Sequence, residues 1–240
     1  MNDDAPRLQR LLAQADLLQL LSRLFGAPSA ELQRGCQHTP DDLRELLRVA
    51  GLRGELLERA LLETVQLVHQ TPLDAWVAEH SRLFECGVVC PINETAYVRR
   101  DKGPILGDVA GFYTAFGVRV SPTLHEKVDH LRCELDYCGV LFTLWARALE
   151  ESSAERAEVC EAAWRSFAED HLSEWLTGFC ERLAETSGLQ LYTNAAGLLE
   201  LAWEALGEHH GLELRRDRPL PLVPETGTPY ECGMADSGCH

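Results

Sequence analysis

The stretch Leu131-Arg132-Cys133-Glu134-Leu135-Asp136-Tyr137-Cys138-Gly139-Val140-Leu141-Phe142-Thr143-Leu144-Trp145-Ala146-Arg147-Ala148-Leu149 decides the fold class. Its residues Leu131, Leu135, Cys138, Phe142, Trp145 and Leu149 recur at spacings of four and three, the stripe of an amphipathic helix with one face in a core. Upstream, Pro122 is followed by Thr123, and Glu126 stands three residues after that. This is the form of a capping box and predicts a helix start at Thr123. On a helix begun there, Glu126, His130 and Glu134 fall at i−4, i and i+4 and line a polar face that leaves the Leu131 stripe free.

Outward from this helix the same period repeats. Leu8, Leu11, Leu12, Ala15, Leu18, Leu21 and Phe25 make a stripe that stops before Gly26 and Pro28. Shorter helical patterns run from Asp41 to Ala50, Glu55 to His69, Leu73 to Phe84 and Leu106 to Phe116. Two longer ones cover Ala154 to Glu185 and Ala195 to His209. Period-two alternation is scarce, so the expected fold is all-α, a single helical bundle over 1–210. Pro219, Pro221, Pro224, Gly227 and Pro229 then break every pattern, and 211–240 is expected to be an irregular tail. One internal stretch, Cys86 to Pro104, has no helical period. It reads as a long ordered loop, the kind of segment that often carries function.

The chain has 240 residues, 45% of them hydrophobic, enough for a core that needs no staples. It carries 38 acidic against 22 basic residues, a net charge of −16. Nucleic acid and anionic lipid are poor partners for such a surface. An odd count of nine cysteines in a Leu-rich helical chain argues against a disulfide framework and for a reducing cytoplasm. The amino end lacks the basic region of a secretory signal, so no export leader is expected, and no apolar run reaches the ~20 residues of a membrane span.

Enzyme signatures are missing. His125 and His130 are five residues apart, about 140° around a helix, and cannot share a zinc ion there. No Glu-x-x-His, phosphate loop, Rossmann glycine pattern or Gly-x-Ser-x-Gly elbow occurs. Cys86, Cys90, Cys232, Cys239 and His240, with His209 and His210, keep open a metal-dependent or redox alternative if they meet in space. A helical adaptor for an unrelated basic peptide is a third possibility.

Four motifs follow in order. They are Glu79-His80-Ser81-Arg82-Leu83-Phe84, Pro91-Ile92-Asn93-Glu94-Thr95-Ala96-Tyr97, Asp129-His130-Leu131-Arg132-Cys133-Glu134-Leu135, and Phe167-Ala168-Glu169-Asp170-His171-Leu172-Ser173-Glu174-Trp175. Together they closely resemble the TorD/DmsD/NarJ family of molybdoenzyme maturation chaperones, over a span from Leu8 to Trp203. Asp101-Lys102-Gly103 and Gly107-Asp108 are similar to the subgroup that serves enzymes of the type II dimethyl sulfoxide reductase class.

The resemblance implies an all-helical chaperone without catalysis or a cofactor of its own. Its partner would be the apo catalytic subunit of a molybdenum oxidoreductase, bound through its twin-arginine leader or another part. The client would be held in the cytoplasm until its molybdenum cofactor is inserted. The family's leader-binding surface corresponds here to Leu83, Phe84, Pro91, Glu94, Tyr97, Asp129 and His130. Two guanidinium groups and an apolar stretch need carboxylates beside a hydrophobic groove. Glu94, Asp129 and Glu134 supply the first on this reading, and Leu83, Phe84, Pro91 and Tyr97 the second.

Overall fold

A computed structural model describes residues 4–86, 88–121, 126–215 and 217–222. The first helix, α1 (Asp4–Leu24), lies along α7 (Leu131–Glu150), and these two form the axis of the bundle. Gly139 lies where they approach. A Cβ there would sit 3.5 Å from the Ala15 carbonyl oxygen, which leaves room for a methyl group and little more. The stripe expected on α7 is buried at Leu131, Leu135, Cys138, Phe142 and Trp145.

The remaining helices close around that pair. α2 (Ala30–Gly35), a short helix that the apolar period does not mark, leads to α3 (Pro40–Ala50). The latter opens on a reciprocal capping box between Thr39 and Asp42, with Pro40 in the first turn. It closes on Gly51 at φ 72°, a left-handed position that favours glycine. α4 (Glu55–Gln70), α9 (Ser173–Thr186) and α10 (Gln190–His210) make a second layer, and α8 (Ala154–Phe167) packs on α7. α10 begins five residues before the expected Ala195. Among the described residues there is no strand, and no helix is long and apolar enough to cross a membrane. The fold is all-α.

Two interruptions of the α-helical period redirect side chains within the bundle. α5 (Leu73–His80) runs into a π-turn over Ser81–Glu85, and α8 is joined to α9 by another over Ala168–Leu172. A π-turn inserts a residue into the helical ladder and swings the side chains after it out of register. α6 (Lys102–Ala115) follows the long loop.

The expected start of α7 is not observed. Pro122, Thr123, Leu124 and His125 lie outside the described residues, and 126–130 are described and not helical. His130 is the cap instead, its side chain accepting the Arg132 amide. The reason is tertiary. His130 pairs with Asn93 in an isolated antiparallel bridge, which draws its backbone into an extended conformation that a helix cannot share. The single polar face expected for Glu126, His130 and Glu134 is therefore absent. Glu126 approaches Arg132 at 3.4 Å, and Glu134 is fully buried.

Candidate functional site

The loop between the first π-turn and α6 is held from three sides. On one, the Cys90 amide donates to the Leu83 carbonyl at 3.0 Å. Within the loop, the Tyr97 hydroxyl donates to the Pro91 carbonyl at 2.8 Å and Glu94–Ala96 form a single 3₁₀ turn. Facing α7, the Glu94 amide donates to the Asp129 carbonyl at 3.0 Å and the Leu131 amide to the Ile92 carbonyl at 3.1 Å. The Asp129 carboxylate completes the join by accepting from the Asn93 side chain (3.1 Å), the Thr95 amide (3.1 Å) and the Thr95 hydroxyl (2.7 Å). Three donors on one buried carboxylate fix the loop's conformation.

Beneath the loop lies a cluster of acids. Glu94, Asp129 and Glu134 are each 0% exposed. His171, swung inward by the second π-turn, places Nδ1 at 3.0 and 3.2 Å from the two Glu94 oxygens, and Nε2 at 3.5 Å from Asp108. Arg100 stands 3.9 Å from Glu94 and pairs with Glu174. Burial raises the Glu94 pKa, opposed by His171. Glu134 accepts from the Trp175 indole at 3.2 Å through Oε2, while Oε1 has no donor among the described residues. Burial, and then the charges of Glu94 and Asp129, push its pKa well above the carboxylate range, which favours the neutral acid.

An aromatic frame surrounds the acids. Tyr97 stacks on Trp175 with ring centroids 5.5 Å apart. Phe84 meets His80 at 5.0 Å and Tyr192 at 5.4 Å, and His80 Nδ1 is 2.9 Å from the Tyr192 hydroxyl. Burial lowers the His80 pKa.

All eight residues expected at the site thus fall in one region, but they divide by exposure. Leu83, Phe84, Glu94, Tyr97, Asp129 and Glu134 are buried, whereas Pro91 and His130 are partly exposed. Asn93, bridged to His130, and Ala96 are also partly exposed, and Val88 is 47% exposed. Sequence reasoning did not single out Asn93, Thr95, His171 and Trp175 within their motifs. Their signal was chemical: buried motifs rich in Glu and Asp need matching donors, and these four supply them.

The cysteines give little support to a redox or metal site. Burial raises the thiol pKa of Cys90 to about 12 and also raises those of Cys133 and Cys138. Among the described residues no three His, Cys, Asp or Glu side chains are grouped to hold a metal ion. Cys232, Cys239 and His240 lie outside the described residues.

Comparison with known proteins points to the family that the motifs resemble. The family model described as nitrate reductase delta subunit matches residues 50–181. The chain is 33% identical over 107 residues to the chaperone protein TorD of Vibrio cholerae (strain O395), covering 43% of this chain and 47% of that protein. It is 30% identical to the chlorate reductase assembly chaperone protein of Ideonella dechloratans, covering 55% of this chain and 70% of the relative. Identity is 26% to the perchlorate reductase assembly chaperone protein of Dechloromonas aromatica (strain RCB), over 73% and 81% of the two chains. The match therefore spans about half the length of the TorD relatives and most of the two reductase chaperones. With more than half of its length matched by the family model, the chain belongs to the nitrate reductase delta subunit family, the TorD/NarJ family of molybdoenzyme chaperones.

Proposed function

We propose that this protein is a cytoplasmic assembly chaperone without turnover of its own. It binds the apo catalytic subunit of a molybdenum oxidoreductase, through a twin-arginine leader or a mature segment, and keeps it competent for cofactor insertion. The observation that carries this reading is the loop at 88–100, fixed in shape by Asp129 and underlain by buried acids, beside relatives named as reductase assembly chaperones. A pre-formed loop loses little conformational freedom when a client docks, so binding energy is not spent on ordering it.

On this reading the eight residues divide the work. Pro91 and His130, with Asn93, Ala96 and Val88, meet the client at the partly exposed face. Glu94 and Asp129 set the loop's position and a negative potential below it, with Glu134 beneath them as an acceptor for Trp175; Leu83, Phe84 and Tyr97 pack its underside. The buried acids thus act on a basic client through the field and through loop shape rather than by contact.

The test is made in the native host. Deleting the chain should leave the client polypeptide present but depleted of molybdenum, with full-length chaperone restoring it. A client that acquires its full molybdenum content without the chain would refute the proposal.

A further inference from the structure

After α10 the chain does not leave the body. The Glu213 amide donates to Glu169 at 2.9 Å, and residues 212–215 and 217–222 are not helical and lie against α10 and α9. Leu214 lies on Gly207, where an added Cβ would meet its Cδ1 at 2.3 Å. Pro219 lies on Gly178, where an added Cβ would stand 2.2 Å from its carbonyl oxygen. Two glycines therefore let the segment rest directly on helix backbone.

Its charges face a shelf of acids. Arg215 binds Glu174 at 2.7 Å, and Arg218 reaches Glu181 at 3.4 Å and Glu200 at 3.2 Å. The far end joins the candidate site, because the Leu222 amide donates to the Ala96 carbonyl at 2.6 Å. Glu174 is also the partner of Arg100, so one carboxylate ties the loop and this segment together. Alongside runs a groove of about 950 Å³ whose lining includes Trp203, Glu204 and Glu208. The Trp203 indole N–H has no acceptor although the residue is only 4% exposed, and Glu204 and Glu208 have no cationic partner among the described residues.

We propose that residues 212–222 are an intramolecular stand-in for a client, an arginine-bearing strap over the acidic shelf of α9 and α10, and that an arginine-rich client segment displaces it. This rests on the reading that the client is a basic, partly apolar segment. The strap's own composition, Leu214-Arg215-Arg216-Asp217-Arg218-Pro219-Leu220, has the same combination of guanidinium groups and apolar residues. Each of its ion pairs has an arginine side chain 53% exposed, and such pairs hold weakly. A competitor with equivalent arginines can therefore exchange with the strap. Release of Leu222 from Ala96 then reports occupancy of the shelf to the loop.

The test uses full-length protein and two fluorescent peptides, one with adjacent arginines followed by an apolar run, the other copying residues 212–222. Two strap variants are compared with the native chain: Arg215→Gln with Arg218→Gln, and Leu222→Pro, which removes the backbone donor without changing charge. If the strap covers the shelf about nine-tenths of the time, both variants bind the arginine peptide about tenfold more tightly. The strap copy binds both variants better than the native chain, and the arginine peptide displaces it. Melting curves confirm that each variant is folded. Unchanged or weaker binding by both folded variants overturns the proposal. Binding of the strap copy without competition from the arginine peptide also overturns it, leaving the chaperone reading intact. The molybdenum content of the client in the deletion host tests that reading separately.

Discussion

Asp129 is expected from sequence on a leader-binding surface, and its geometry predicts that its replacement acts first on folding. Its carboxylate is fully buried and serves three donors from the loop. In Asp129→Asn one side-chain oxygen can still accept from Thr95, but the new amide turns a donor toward Asn93 or the Thr95 amide. A charge-assisted hydrogen bond contributes about 1.5–3 kcal/mol, and an unsatisfied buried donor costs about 1–3 kcal/mol. The expected loss is about 2–3 kcal/mol, or a fall in Tm of about 5–10 °C for a chain of this size. Asp129→Ala strands all three donors and should cost about 3–5 kcal/mol.

Urea denaturation with amide exchange at Thr95 separates this from a direct binding role. The expected result is a lower midpoint, faster Thr95 exchange and weaker client binding together, the last arising from the loosened loop. Should Asp129→Asn keep its melting point and Thr95 protection yet lose client affinity, then Asp129 touches the client and the structural assignment is wrong.

The same geometry sets three further outcomes. His130 accepts the Arg132 amide through Nδ1 at 3.1 Å, and burial, then Arg132, lower its pKa from 6.5 to about 4. The unfolded chain binds this proton more readily, so the cap contributes fully above pH 6.5 and up to about 3 kcal/mol is lost as pH falls through about 4. Urea midpoints across that window should slope in the native chain and flatten in His130→Asn. Glu134→Gln should lie within about 1 kcal/mol of native stability at or below about pH 4, where the acid is protonated both folded and unfolded and the amide can still accept from Trp175. A raised folded pKa means native stability is lost as pH rises above the unfolded value of about 4.3, so this variant should gain on the native chain across that rise, whereas Glu134→Ala should cost about 2–3 kcal/mol by stranding the indole. Gly139→Leu should cost more than about 2 kcal/mol by forcing α1 from α7, while Gly139→Ala should be tolerated, and thermal melts distinguish the two.

The bundle was legible because its helices are amphipathic over several turns, as on α7, where Leu131 through Trp145 keep one face. The four motifs likewise meet in one region, the candidate site. Three features were not legible, each for a physical reason. The Thr123 and Glu126 pattern is a local signal, and the non-local Asn93–His130 bridge prevails over it at 126–130. The π-turns at Ser81–Glu85 and Ala168–Leu172 have no counterpart in a 3.6-residue period, so the inward aim of His171 could not be read. Arg215 and Arg218 stand in a proline-broken segment that looks like a tail, and only distance in space reveals Glu174, Glu181 and Glu200 as their partners.

The acids below the loop are an expensive way to hold it, because removing carboxylates from water costs several kcal/mol each unless they are neutralised or well paired. The cluster meets that cost by three different routes: Asp129 by accepting three hydrogen bonds, Glu94 by facing His171, and Glu134 by a raised pKa that favours its neutral form. An apolar filling of the same volume would stabilise a bundle at least as well. It would not, however, specify where the Thr95 amide and the Asn93 side chain must lie, because dispersion contacts have no direction and hydrogen bonds do. The loop's shape therefore depends on polar groups that a hydrophobic core would not require. That dependence separates two classes of substitution: changes in the Leu131 face should act on stability alone, and changes in the acid cluster should act on stability and client binding together.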